Sequence, residues 1–176
     1  MSRVAVSRVM IPTMAFNGPQ RSPSPASCIT CVKRSVPDCA LRASSMYSTA
    51  LEFAREERFE AARLAFEEVI AACPCWQKPW VSYAQMEKRA AAQCAEQRWN
   101  KCREVLQRAL VLNPDSVQVI QAWGLMELQR GNLVPAVRLL ERCVSFDPVR
   151  CEPVLRWKPV AEARKTVSSR KEQRRE

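Results

Sequence analysis

Between residues 46 and 148 the apolar side chains recur at spacings of three and four, and a proline closes each run. The runs RFEAARLAFEEVIAACP, RWNKCREVLQRALVLNP and NLVPAVRLLERCVSFDP end at Pro74, Pro114 and Pro148. Twelve residues before each proline stands a small side chain: Ala62, Cys102, Ala136. Eight before stands a large apolar one: Phe66, Leu106, Leu140. Five and four before come Val69 and Ile70, Ala109 and Leu110, Cys143 and Val144. These offsets fall on one face of a helix, and the small residue lets a neighbouring helix approach closely. Downstream of the first two prolines, Trp80, Tyr83, Ala84 and Glu87 are matched by Ile120, Trp123, Gly124 and Glu127, again one helix face. The last two prolines are 34 residues apart and the first two 40, with AAAQCA (90–95) taking up the six extra residues. The pattern predicts an all-α fold in which antiparallel helix pairs stack into a helical-repeat solenoid of about three units. The units span 46–74, 75–114 and 115–148, with a C-terminal capping helix in 149–176. Asp115 or Ser116 is placed to cap the first helix of unit three.

These residues resemble a tetratricopeptide array: a small residue, a large apolar one, a second small or β-branched one and a terminal proline at 34-residue spacing. Unit two is similar to the half-a-TPR (HAT) sub-type, whose signature is an aromatic, a Tyr three residues later and a Glu four after that; here Trp80, Tyr83 and Glu87. In unit one, Met46 and Thr49 occupy the aromatic places. The resemblance implies first helices lining a concave face, with inward positions at Lys78, Val81, Gln85 and Lys88 in unit two. In unit three they fall at Gln118, Gln121, Leu125 and Leu128. Arg55, Arg89 and Gln129 lie at adjacent edge positions. HAT repeats are typical of RNA-processing factors, including plastid proteins that stabilise or mature messenger RNA, so the resemblance implies an RNA-binding role.

Charge refines this expectation. The chain carries 28 Lys and Arg against 18 Asp and Glu, a formal +10, but residues 46–149 hold 13 of each and net zero. The surplus lies at the ends. Residues 1–45 have six basic side chains against Asp38 alone. The C-terminal stretch ARKTVSSRKEQRRE carries Arg164, Lys165, Arg170, Lys171, Arg174 and Arg175, with Lys158 just upstream. Phosphate neutralisation supplies most non-specific nucleic-acid affinity, so a basic tail and a local basic groove are the places to expect it. A mixed groove of Lys, Gln and Leu suits an acidic peptide as well. Single-stranded RNA and a protein or peptide both remain partners on this reading, and the open solenoid ends offer a route to self-association.

The first 45 residues differ from the body. They hold eight Ser and five Pro, with no acid before Asp38. The run RSPSPAS cannot keep a helix, because each Pro removes a donor and extends the residue before it. Such composition after a starting Met reads as an organellar transit peptide rather than a structural segment. VPDCALRAS (36–44) resembles a plastid processing site, and Arg3 and Arg8 among Val and Ala leave mitochondrial import as the alternative.

Catalytic chemistry finds little support. The chain has no His, which removes His-based triads, Cys-His pairs and His-ligated zinc. Three Gly do not make a phosphate-cradling loop. Adjacent carboxylates such as Glu56/Glu57 and Glu67/Glu68 point apart on a helix. Cys28-x2-Cys31 with Cys39 lacks a fourth ligand of its own, and Cys102 and Cys143 fall at small core positions. Cys73 and Cys75 flank a helix end, where redox chemistry is an option. Trp80 and Trp123 sit at packing positions, and Trp157 is placed to cap the open end of unit three. The chain reads as a non-enzyme without a cofactor.

Overall fold

The computed structural model describes residues 36–90 and 95–173. Within them the chain is all-helical: α1 Val36–Arg55, α2 Phe59–Ala72, α3 Gln77–Ala90, α4 Ala95–Leu112, α5 Val117–Arg130, α6 Leu133–Phe146, α7 Pro148–Leu155 and α8 Lys158–Glu172. The helices pack chiefly in consecutive pairs, α1 with α2, α3 with α4 and α5 with α6, and each pair touches the next through α2/α3, α4/α5 and α6/α7.

Local chemistry sets the ends. The N–H of Cys73 bonds Val69 O before Pro74 stops α2. Asn113 ends α4 and reaches further: its Nδ2 donates to Pro74 O at 2.9 Å, tying two successive turns together. Ser116 caps α5, accepting from the Val119 N–H. Gly131 closes α5 at φ 90°, a conformation that costs a Cβ-bearing residue strain. Asp147 caps α7 directly, accepting from the Arg150 N–H at 3.1 Å, with Pro148 at the first helical position.

The small-and-large pattern is the core. Ala62, Cys102, Ala136, Phe66, Leu106 and Leu140 are all buried, as are the facing residues Ala50, Ala84 and Gly124. Approach is tightest at Gly124, where an added Cβ would lie 2.9 Å from both Cγ and Cδ2 of Leu140. Tyr83 stacks parallel on Phe66 at 5.3 Å between ring centres, joining α3 to α2. Trp80 is buried with its Nε1 on Pro74 O. The terms expected of an aromatic at a packing position are met: apolar body inside, polar atom satisfied.

Two boundaries differ from expectation. Helix α1 begins at Val36, ten residues ahead of the expected unit start, and Ala43 and Tyr47 are buried in it. Pro37 in the first turn does not oppose a helix, because the N–H it lacks would have had no intrahelical partner there. The stretch 36–44 is therefore the first half of α1; residues 1–35 lie outside the described part. At the C-terminus there are two helices, not one. Helix α7 starts where the first helix of a further pair would, then Pro153, the extended Trp157 and Pro159 break it. Helix α8 turns back onto α6, and Val160, Ala163 and Val167 are buried at spacings of three and four. The basic C-terminal segment thus carries one continuous apolar stripe. Trp157 packs into the same cluster, as its capping role requires.

Candidate functional site

Four carboxylates of the central helices, Glu67, Glu87, Glu96 and Glu127, form helix-to-helix ion pairs. Arg63 Nε and Nη2 on α2 donate to the two oxygens of Glu87 on α3, at 2.6 and 3.0 Å. Arg103 Nε and Nη2 on α4 donate to Glu127 Oε1 on α5, at 3.0 and 2.8 Å. Both carboxylates are 2 % exposed. In each case the Arg stands eleven residues before the junction proline and the Glu thirteen after it. The contact repeats with the sequence. Glu127 also accepts from Trp123 Nε1 at 3.0 Å and Asn132 Nδ2 at 2.6 Å. Burial works against its ionisation, yet the bonds from Asn132, Arg103 and Trp123 outweigh it and hold the carboxyl below its usual range. Arg108 on α4 grips Glu67 on α2 with two bonds of 2.7 and 2.8 Å, which lowers the Glu67 carboxyl and raises the guanidinium. At the third junction the same two places hold Val137 and Ala161. Val137 packs against Ala163 and Val167 instead.

With these carboxylates engaged, several cations stand alone. The groove positions sort into three groups. Lys88 donates to Gln129 Oε1 at 2.6 Å, linking α3 to α5, and Arg89 donates to Ala54 O at 3.3 Å, linking α3 to α1. Exposed Arg55 adjoins Ala54, so Arg55, Lys88, Arg89 and Gln129 all fall in the last turns of α1, α3 and α5, with Lys88 turned toward α5 and Arg89 toward α1. Lys78 is exposed, with Nζ 5.6 Å above the Tyr47 ring, and Gln85 is exposed on α3. Gln118 is half-buried. Gln121 is 8 % exposed and faces the core, which corrects its place among the ligand-contacting residues. Leu125 and Leu128 do not form an open apolar patch either: α7 and α8 cover them with Val154, Val160 and Trp157.

The basic tail is likewise partly structural. Arg164 pairs with Glu141 at 3.4 Å. Lys165 and Arg170 are exposed on the outer side of α8, and Lys171 lies in the same helix. Arg174 and Arg175 fall outside the described residues.

One cluster was not read from the sequence. Trp99, half-buried in the first turns of α4, has Arg98 Cζ 5.0 Å and Lys88 Nζ 5.9 Å from its ring centre. Arg98 Nε is buried without a hydrogen-bond partner. Burial depresses the Lys88 ammonium pKa; Arg98 lowers it further and Cys102 opposes. An Arg-Trp dipeptide at the start of a predicted helix was the visible signal, but only the α3–α4–α5 packing brings Lys88 to it. The Arg63/Arg103 periodicity was equally visible and stops at Val137.

Among the described residues no helix is long and apolar enough to cross a membrane, and no three His, Cys, Asp or Glu gather to hold a metal. Burial pushes the Cys102 and Cys143 thiols up to about 12, as expected of small core residues. No protein-family model and no curated protein sequence matches this chain.

Proposed function

We propose that this chain is a non-catalytic RNA-binding repeat protein. On this reading it is a TPR/HAT-like solenoid of antiparallel pairs that holds single-stranded messenger RNA for processing, stabilisation or translation in an organelle. The observation that carries the reading is the edge of Arg55, Arg89 and Lys88, none of which has a carboxylate within ion-pair distance among the described residues. A net-neutral body hides this, because eight of its thirteen acids are held in ion pairs with other arginines. Uncompensated cations beside Gln85 and Gln129 suit phosphate and base edges. No cofactor enters the reading. The composition of residues 1–35 supports plastid import, with the mitochondrion as the alternative, and a fluorescent fusion of the full chain decides between them.

The test is fluorescence anisotropy with a single-stranded RNA pool at 50 and 200 mM salt. Three phosphate contacts give a log–log slope near −0.7 per contact, so affinity falls about twenty-fold across that range. The triple neutralisation Arg55→Gln, Lys88→Gln, Arg89→Gln should remove most of that dependence, while Lys165→Gln with Arg170→Gln leaves it largely intact. Absent or salt-independent binding overturns the proposal.

A second reading, a protein-binding adaptor for an organellar complex, has its own support. At the open end of the first pair, Met46, Thr49, Phe53, Ala61, Leu64, Ala65 and Glu68 line a cleft of about 280 Å³. Met46, Thr49 and Phe53 are the counterparts of Trp80, Tyr83 and Glu87, which pack against a preceding helix, and Leu64 is 70 % exposed beside them. A partner's amphipathic helix fits that place. Pull-down that depends on Leu64 and not on Lys88 would favour this reading.

A further inference from the structure

We infer that the Lys88–Arg98–Trp99 cluster is a phosphate-binding pocket with an aromatic shelf. The inference rests on the RNA reading for the source of the phosphate, but its chemistry stands on the cluster alone.

Two cations share one indole here, and neither has a carboxylate partner among the described residues. The nearby acids are committed: Glu87 to Arg63, Glu127 to Arg103, Trp123 and Asn132, and Glu96 to Arg130 at 3.7 Å. Lys88 donates one proton to Gln129 and has no other acceptor among the described residues. Arg98 keeps a buried Nε–H unsatisfied. A buried donor without a partner is uncommon and calls for an explanation. Two like charges on one partly buried site are costly unless an anion joins them. The cation–π contacts to Trp99 offset only part of this, about 0.5–2 kcal/mol each.

A phosphate group answers all three features. It accepts from the free Lys88 protons and the Arg98 fork at once, and it neutralises one of the two charges as a diester and nearly both as a monoester. A carboxylate offers two oxygens and one charge; a phosphate monoester offers more of both, and a diester matches the carboxylate in charge but brings a nucleoside ring beside it. The half-buried Trp99 then supplies an apolar face for the ring attached to that phosphate, as in single-strand binders. The phosphate comes either from a diester within an RNA strand or from a monoester at its end, and the two differ in charge.

The experiment uses the full chain. Isothermal titration with inorganic phosphate and with a nucleoside 5′-monophosphate at 50 mM salt measures the pocket itself. Anisotropy with one ten-nucleotide RNA, made with a 5′-phosphate and with a 5′-hydroxyl, identifies the source. Arg98→Gln should weaken every phosphate-bearing probe at least tenfold, and Arg98→Lys should restore part of it. Trp99→Phe should weaken the nucleotide more than inorganic phosphate. A tenfold preference for the 5′-phosphate RNA assigns a terminal monoester, and equal binding of the two RNAs, both lost in Arg98→Gln, assigns an internal diester. Phosphate binding without RNA binding keeps the pocket and removes the RNA reading. Arg98→Gln that melts as the parent does and binds phosphate and nucleotide as tightly overturns the pocket. If Arg98→Gln fails to fold, Lys88→Gln serves the same role, and unchanged binding there overturns it equally.

Discussion

Replacing Glu127 by Ala should be among the most damaging single substitutions on the molecule's polar residues. The carboxylate is 2 % exposed and accepts four hydrogen bonds from three side chains: two from Arg103 and one each from Trp123 and Asn132. The substitution leaves a guanidinium, an indole N–H and an amide without their acceptor in one partly buried place. Breaking a buried ion pair from one side costs about 3–5 kcal/mol, because the remaining charge is uncompensated. For a protein of this size each kcal/mol is about 2–4 °C, so the melting point should fall by about 10 °C. Arg103 is less enclosed, with 29 % of its side chain exposed, so Arg103→Met should cost less. The double variant should recover about 1–3 kcal/mol of the summed losses, the coupling typical of residues sharing one network. Glu87→Ala should cost less than Glu127→Ala, since among the described residues Arg63 alone donates to the Glu87 carboxylate. Urea unfolding followed by far-ultraviolet circular dichroism measures all four variants. A loss under about 1 kcal/mol for Glu127→Ala, or strict additivity with Arg103→Met, would show that the repeated Arg–Glu contact does not hold the helix pairs together.

Other outcomes follow from the same structure. Because the Glu127 carboxyl sits below its usual value when folded, it contributes stability above the ordinary carboxyl range, and that stability disappears as pH falls through the lowered value. Glu127→Gln should therefore flatten the acid limb of a melting-point-versus-pH curve; an unchanged limb contradicts the assignment. Gly124→Ala gains about 1 kcal/mol of helix propensity, but forces a methyl to 2.9 Å from buried Leu140 and should lose about 1–2 kcal/mol net. A gain in the urea midpoint would mean α6 shifts freely. A chain ending at residue 156 uncovers Leu125, Leu128 and Val137, and should lose cooperativity and bind a hydrophobic dye. For that reason the tail's charge is better tested by Lys165→Gln with Arg170→Gln, both exposed, which should leave the melting point within about 1 °C.

The helix pairs, their small-and-large core positions and their stopping prolines were set by local rules. A helix turns every 3.6 residues whatever surrounds it, so Ala62, Phe66 and Val69 declare one face without any knowledge of the partner. Glu87 and Glu127 were legible as matched positions for the same reason. What they bond was not, since the Arg stands 24 residues upstream on another helix and the register between helices decides the meeting. Charge shows the same division. Counting residues yields a neutral body, and only packing reveals that Glu67, Glu87, Glu96 and Glu127 are paired across helices while Arg55, Lys88, Arg89 and Arg98 have no ion pair among the described residues. Periodicity alone does not say what a groove position faces, because an inward-pointing residue can face open space, as Gln85 does, or the next helix, as Gln121 does. Helix α8 is the clearest case. Its sequence is basic and polar in composition, yet Val160, Ala163 and Val167 gain their meaning only from the apolar flank of α6 that would otherwise meet water.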